Sequence, residues 1–239
     1  MEITLFTPHV GQKAVIQGFS TSQHKFGTVV TSRQWGKSLL GQNLLLFWLL
    51  QSPNQKGCWI SPIYNQAKKV FQELSDASQS IIQSSNKAEL TIKFVNGSTV
   101  QFLSSERPDS VRGFSFHYMV VDEAAYVNER GFETAILPTL TALGKKCLII
   151  STPKSKNWFY KYYLKGSDVS TDYISFRGQS TDNPYIDQSF IAEQRLSLPD
   201  DIFRQEYLAE FTDAGSEVFR GVDDACVVNQ YTKQDKANR

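Results

Sequence analysis

The sequence predicts an α/β fold: a mostly parallel central sheet flanked by helices, with a small C-terminal lid subdomain. Three observations predict it. Short runs of β-branched and apolar residues alternate with stretches of helical periodicity. One such run passes through a polar loop into Gly36-Lys37-Ser38, at the head of a leucine-rich helix. Another, ending at Val121, leads directly into Asp122 and Glu123. Alternation of this kind favours parallel strands joined by crossover helices. Such a sheet gathers the carboxyl ends of its strands along one edge, where ligands of open α/β sheets bind.

Composition narrows the class. At 239 residues the chain can bury a sizeable core. Its formal net charge of +1 leaves no global basic field, so any nucleic-acid contact must come from a local patch. Cys58, Cys147 and Cys226 share no metal-ligand spacing, and two of them sit in apolar strand-like runs expected to hold buried reduced thiols. The three histidines are scattered, which argues against zinc. The apolar run Leu44 to Leu50 is too short to span a bilayer, and residues 1–26 lack the pattern of a signal peptide. A cytosolic protein without a membrane partner is expected.

Taken in order, residues 1–26 read as a polar lead-in containing Pro8 and Gln12. The Gln12 carboxamide both donates and accepts, which suits the N6 amine and N7 of adenine. Gly27 to Thr31 is a short strand, and Ser32-Arg33-Gln34-Trp35-Gly36-Lys37-Ser38 follows it into a helix running to about Gln51, apolar nearly all round and therefore buried. Strand, loop and helix N-terminus is the order a phosphate-binding loop needs. Backbone N–H groups would face a polyphosphate, Lys37 would reach its β- and γ-phosphates, and the Ser38 hydroxyl would ligate Mg²⁺. Thr31 stands where the usual pattern has glycine, so the loop must leave the strand extended.

Cys58 to Ser61 reads as a second strand, and Tyr64 to about Ser84 as one long amphipathic helix with Lys68 and Lys69 in solvent. Asn96-Gly97 between two alternating runs marks a hairpin over Leu90 to Leu103. A charged loop with Arg107 and Arg112 precedes the buried strand Phe116 to Val121. Asp122 would hold Mg²⁺ through water, and Glu123 would orient and deprotonate an attacking water. Lys146 to Ile150 is a third buried strand, ending in Ser151 and Thr152, hydroxyls placed to meet a γ-phosphate or its water. Ser155 to Gly166 predicts a short helix packing its aromatic rings, Asp172 to Phe176 a strand, and 187–209 a helix pair hinged near Pro199-Asp200.

With these residues in view, the chain resembles the large terminase subunit of tailed bacteriophages. The resemblance rests on Ser32 to Ser38, Val120-Val121-Asp122-Glu123-Ala124-Ala125 and Ile150-Ser151-Thr152-Pro153. Arg112-Gly113, Asp182-Asn183-Pro184-Tyr185 and Phe203 to Phe211 add to it, and it spans roughly residues 6 to 220. The Arg-Gln before Gly-Lys-Ser is itself typical of that family.

The resemblance implies a P-loop NTPase of the ASCE type: an ATPase core over 1–154, a lid over 155–215, and a linker over 216–239 toward an absent nuclease domain. It implies a Mg²⁺-dependent ATPase driving double-stranded DNA into a procapsid in the host cytoplasm, without nuclease activity in this chain. Gln12 would sit at adenine, with Ser32, Arg33, Gln34, Trp35, Gly36, Lys37 and Ser38 around the phosphates. Arg33 would be a second cation there, Asp122 a metal ligand, Glu123 the base, and Ser151-Thr152 the coupling motif. Arg112 would be an arginine finger given to a neighbour in a ring, with Arg107 of the same loop the alternative. Portal protein, procapsid and small terminase subunit are the other implied partners. A helicase-like P-loop ATPase acting on nucleic acid shares the three motifs and is the alternative reading. A docking module with a vestigial nucleotide site is the non-enzymatic one.

Overall fold

The computed structural model describes residues 6–212. Its centre is an eight-stranded sheet in the order β3-β4-β5-β2-β6-β7-β1-β8. The strands are β1 (Phe26–Thr31), β2 (Lys56–Ser61), β3 (Ile82–Asn86), β4 (Thr91–Phe94), β5 (Thr99–Ser104), β6 (Tyr118–Val121), β7 (Lys146–Ser151) and β8 (Tyr173–Gly178). Six of them run parallel, from β5 through β2, β6, β7 and β1 to β8, and β3 and β4 extend one side antiparallel. The register sets Val30 beside Ser151, and Val121 beside both Ile60 and Ile149. The segments that follow β1, β6 and β7 therefore leave the sheet at one edge.

Strand alternation divides the core. Val29, Trp59, Val120 and Ile150 face one side, where α1 (Val10–Ser20), α2 (Lys37–Leu50) and α3 (Tyr64–Ala77) cover them. Val30, Ile60, Val121 and Ile149 face the other, against α4 (Glu129–Gly131), its continuation to Leu140 and α5 (Trp158–Lys165). That continuation widens to a π-helix over Phe132–Ile136 and tightens to a 3-10 helix over Leu137–Leu140, where Pro138 donates no N–H. In α5 the rings of Trp158, Phe159 and Tyr162 are buried as expected, and Asn157 caps its first turn by accepting from the Phe159 amide. The Cys58 and Cys147 thiols lie inside the sheet layer, pushed up in pKa by burial.

Several expectations change. The polar lead-in contains helix α1, whose face of Gln12, Val15 and Phe19 is buried. Helix α2 is not buried all round: Leu39 and Phe47 are 46% and 41% exposed. The helix expected to reach Ser84 ends at Ala77, and Ile82–Asn86 becomes an edge strand instead. Ser78 turns both its amide and its hydroxyl back to the Leu74 carbonyl, closing the helix. Ile81 and Ile82 fit a helical stripe and a strand equally well, so pairing with β4 decided between them. The hairpin forms at Asn96-Gly97, with Gly97 alone at positive φ (+81°). Within the segment expected as a lid, β8 pairs with β1, so the sheet runs past residue 154, and Ala209 and Phe211 return to pack on the core beneath it. Helices α6 (Gln188–Ser197) and α7 (Asp200–Glu206) form the expected pair there. The expected tail over 216–239, with Cys226, lies outside the described residues.

Trp35, in the loop after β1, is fully packed between α1 and the end of β8, its ring meeting that of His9 edge-on. A Cβ on Gly178 would come 2.3 Å from the indole Nε1. Gly178→Ala should therefore cost about 1–3 kcal/mol of stability by overpacking, read as a lower urea midpoint. An unchanged midpoint would mean the indole can move aside.

Candidate active site

The site is built from the loop upward. Strand β1 ends at Thr31, which is buried and extended. The left-handed conformations fall later, on Gln34 (φ +57°) and Gly36 (φ +93°). Thr31 therefore never needs the backbone freedom that its β-branch denies it. Gln34 does, and a non-glycine residue there costs about 1–2 kcal/mol.

What holds this shape comes from outside the loop. Four consecutive carbonyls are engaged by side chains from distant segments. The Ser180 hydroxyl reaches Arg33 O at 3.5 Å, Asn183 Nδ2 donates to Gln34 O at 2.8 Å, and Gln12 Nε2 donates to Gly36 O at 3.1 Å. His9 Nε2 lies 2.9 Å from Trp35 O. A carbonyl only accepts, so that ring nitrogen carries the proton. In a trans peptide unit the N–H points opposite the C=O, and no peptide bond here is cis. Each carbonyl turned outward thus turns the next N–H inward. The amides of Gln34, Trp35, Gly36, Lys37 and Ser38 have no hydrogen-bond partner among the described residues. They form a concave row of donors ending at the positive terminus of α2, which is the chemistry of an anion site.

The carboxylates arrive from β6. Asp122, buried and 7% exposed, accepts from the Ser38 hydroxyl at 3.0 Å and from the Glu123 amide at 3.0 Å. Burial, and then the charge of Glu123, raises its pKa to about 6 against the pull of Lys37. Glu123 itself is held left-handed at φ +49°. Its Oε1 pairs with Lys37 Nζ at 2.9 Å, and its Oε2 lies 3.3 and 3.4 Å from the Ser151 and Thr152 hydroxyls. The Ser151 oxygen also accepts from the Ala125 amide, which fixes its rotamer. Lys37, Ser38, Asp122, Glu123, Ser151 and Thr152 are therefore one connected polar network. Beside it opens a cavity of about 670 Å³, lined also by Arg33, Gln34, Gln66 and Tyr126. That is the size range of small-molecule sites. The Ser38 and Asp122 oxygens suit a hard divalent cation.

Other expected site residues stand differently. The Gln12 carboxamide accepts from the His9 amide and donates to Gly36 O, and it is buried and not among the residues lining the cavity. Ser32 hydrogen-bonds Ser180, and the Trp35 side chain is buried away from the cavity. Arg33 lines the cavity, but its guanidinium pairs with the Glu206 carboxylate, and its amide donates to Glu206 O. Arg112 lies elsewhere, exposed, with Nε 2.6 Å from Asp109 and a separate small cavity beside it. Arg107 is exposed in the same loop. The structure brings neither to the Glu123 network. Sequence reasoning missed His9, Asn183 and Glu206 as loop partners. Asn183 and Glu206 carried a signal only as parts of Asp182-Asn183-Pro184-Tyr185 and Phe203 to Phe211.

Sheet order, loop and paired acids define a P-loop NTPase fold of the ASCE type. Residues 28–223 match the family described as "Terminase large subunit, T4likevirus-type, N-terminal". The chain belongs to this family of large terminase subunits. It is 32% identical over 219 residues to the large terminase subunit of Escherichia phage T5, covering 89% of this chain and 50% of that protein. It is 30% identical over 257 residues to that of Thermus virus P23-45, covering 93% and 52%. The chain thus spans about half the length of the curated relatives it matches. It superimposes on the large terminase ATPase domain of Thermus phage P74-26 with a TM-score of 0.74 at 29% identity, covering 87% of this chain and 95% of that one.

The raised pKa of Asp122 has a sign that can be checked. Its carboxylate is harder to ionise folded than unfolded, so it lowers stability as pH rises from about 4 through about 6. Asp122→Asn should therefore stabilise the nucleotide- and metal-free protein at pH 7.5 by on the order of 2–3 kcal/mol, with the gain shrinking toward pH 4.5. A thermal-melt series over that range reads it, and a gain independent of pH would contradict the assignment.

Proposed function

We propose that this chain is an ATP-hydrolysing motor domain that drives translocation of double-stranded viral DNA into a procapsid. One observation carries the reading: unpartnered amides at the α2 terminus meet Lys37, Ser38, Asp122 and Glu123 at a single sheet edge. Membership of the terminase family and likeness to an ATPase domain of that family support it.

In this reading the β- and γ-phosphates of ATP lie against the amides of residues 34–38, with Lys37 as counter-charge. Ser38 and Asp122 would hold Mg²⁺, which when bound would neutralise charge on the phosphates. Lys37 shares its ammonium with Glu123 in the structure described. A polyphosphate carries more negative charge than one carboxylate, so it draws Lys37 over and leaves Glu123 Oε1 to take a proton from water. Ser151 and Thr152, bonded to the other oxygen, aim that carboxylate and link β7 to the reacting end. Gln12 contacts adenine through its carboxamide. Arg33 turns from Glu206 toward the phosphates. Arg112, or Arg107, reaches the site of a neighbouring copy in a ring, consistent with its distance from its own. The lid falls within the expected 155–215, in the helices α6 and α7, and β8 joins the expected core of 1–154 in one sheet. Portal protein, procapsid and small terminase subunit complete the assembly, and a nuclease is not expected within this chain.

Glu123→Gln should lose hydrolysis by on the order of 10²–10⁴-fold while still binding nucleotide. Wild-type-like turnover, measured as phosphate release, would sink the assignment. ATP turnover per subunit should also rise with protein concentration. Mixing Arg112→Ala with Glu123→Gln chains should restore part of the rate, since each supplies what the other lacks. No recovery where rings form would remove Arg112 from that role.

A further inference from the structure

We propose that Asn183 is a positioning residue for the phosphate-binding loop, holding Gln34 left-handed so that the Trp35 amide faces the nucleotide. The inference rests on the nucleotide-binding reading above and deepens it. Asn183 sits just past β8, in a 3-10 turn over Ser180–Asp182 that closes with its own amide bonded to Ser180 O at 3.2 Å. Its side chain is buried and hydrogen-bonded at both ends: Oδ1 accepts from the Tyr185 amide at 3.0 Å, and Nδ2 donates to Gln34 O at 2.8 Å. The rotamer is therefore locked by one bond and delivers the other.

Gln34 is where the loop needs help. It is the one non-glycine residue of residues 32–38 at positive φ. Its side chain is too long for the local backbone bonds that let Asn or Asp adopt this conformation readily. Rotating the 34–35 peptide unit would turn the Gln34 carbonyl, an acceptor, toward the anion site and carry the Trp35 N–H out of it. The Asn183 bond opposes that rotation. The neighbouring units have their own holders in Ser180, His9 and Gln12, so this effect is confined to one amide.

The test is a thermodynamic cycle on the whole chain, with a fluorescent ADP analogue plus Mg²⁺ as probe. Asn183→Ala should weaken binding about tenfold, the worth of one buried hydrogen bond and the conformation it holds. Glycine adopts positive φ without support. On a Gln34→Gly background the same Asn183 substitution should therefore cost less than about threefold. If the alanine variant does not fold, Asn183→Ser replaces it, keeping an oxygen for the Tyr185 amide while falling one atom short of Gln34. Equal losses on both backgrounds would make Asn183 a structural residue only and overturn the inference, as would no loss at all. A wild-type chain that binds no nucleotide would overturn the functional reading along with it.

Discussion

The structure depends on one constraint: a P-loop without its leading glycine must have its peptide planes set from outside. In a glycine-rich loop, backbone freedom lets the amides converge. Here the strand leaves through Thr31, and the unusual dihedral falls on Gln34. Side chains from α1, from His9 just before it, and from the segment after β8 take the carbonyls of four consecutive residues. The buried Trp35 ring, packed edge-on against His9 and against Gly178, anchors the loop further. The loop is rigid through context rather than through its own composition.

The same edge carries an opposing cost. Asp122 is kept buried although its charge is unwelcome there, and Glu123 holds a left-handed backbone conformation beside it. Strain and a raised carboxylate pKa together are what functional sites tolerate and cores do not. The surroundings offset part of the cost through the Ser38 hydroxyl and the Lys37 ammonium. A cation at that position would offset more of it.

How much of this was legible in the sequence follows from the range of each interaction. Strands β1, β2, β6 and β7 could be read because each is a short apolar run bounded by breakers, and their common edge followed from parallel pairing. Lys37, Ser38, Asp122 and Glu123 could be read because their chemistry is carried by residue type next to a strand end. The end of α3 could not, since Ile81 and Ile82 satisfy two periods and only β4 distinguishes them. Nor could the Arg33–Glu206 pair, which joins residues 173 positions apart. The lead-in looked polar because α1 buries only one narrow face, and its Gln12 points inward for a reason that lies in Gly36.

The placement of β8 alters what a lid can mean in this fold. β8 is bonded along its length to β1, the strand that feeds the loop. The chain that continues from it grips the loop at Ser32, Arg33 and Gln34 through Gly178, Ser180, Asn183 and Glu206. The two ends of this grip differ in kind. Near β8 the Ser180–Ser32 and Asn183–Gln34 bonds are 2.8 Å long and follow directly on a strand of the sheet. At Glu206 the guanidinium is largely exposed, and such an ion pair is worth about 1 kcal/mol or less. The Arg33 amide also donates to Glu206 O, and the Ser180 amide to Tyr207 O, so the end of α7 is tied to the loop by main-chain bonds while only the Arg33 side chain is exposed. The loop is fixed where its amides must stay aligned and loosely held where a cation lies free to change partners.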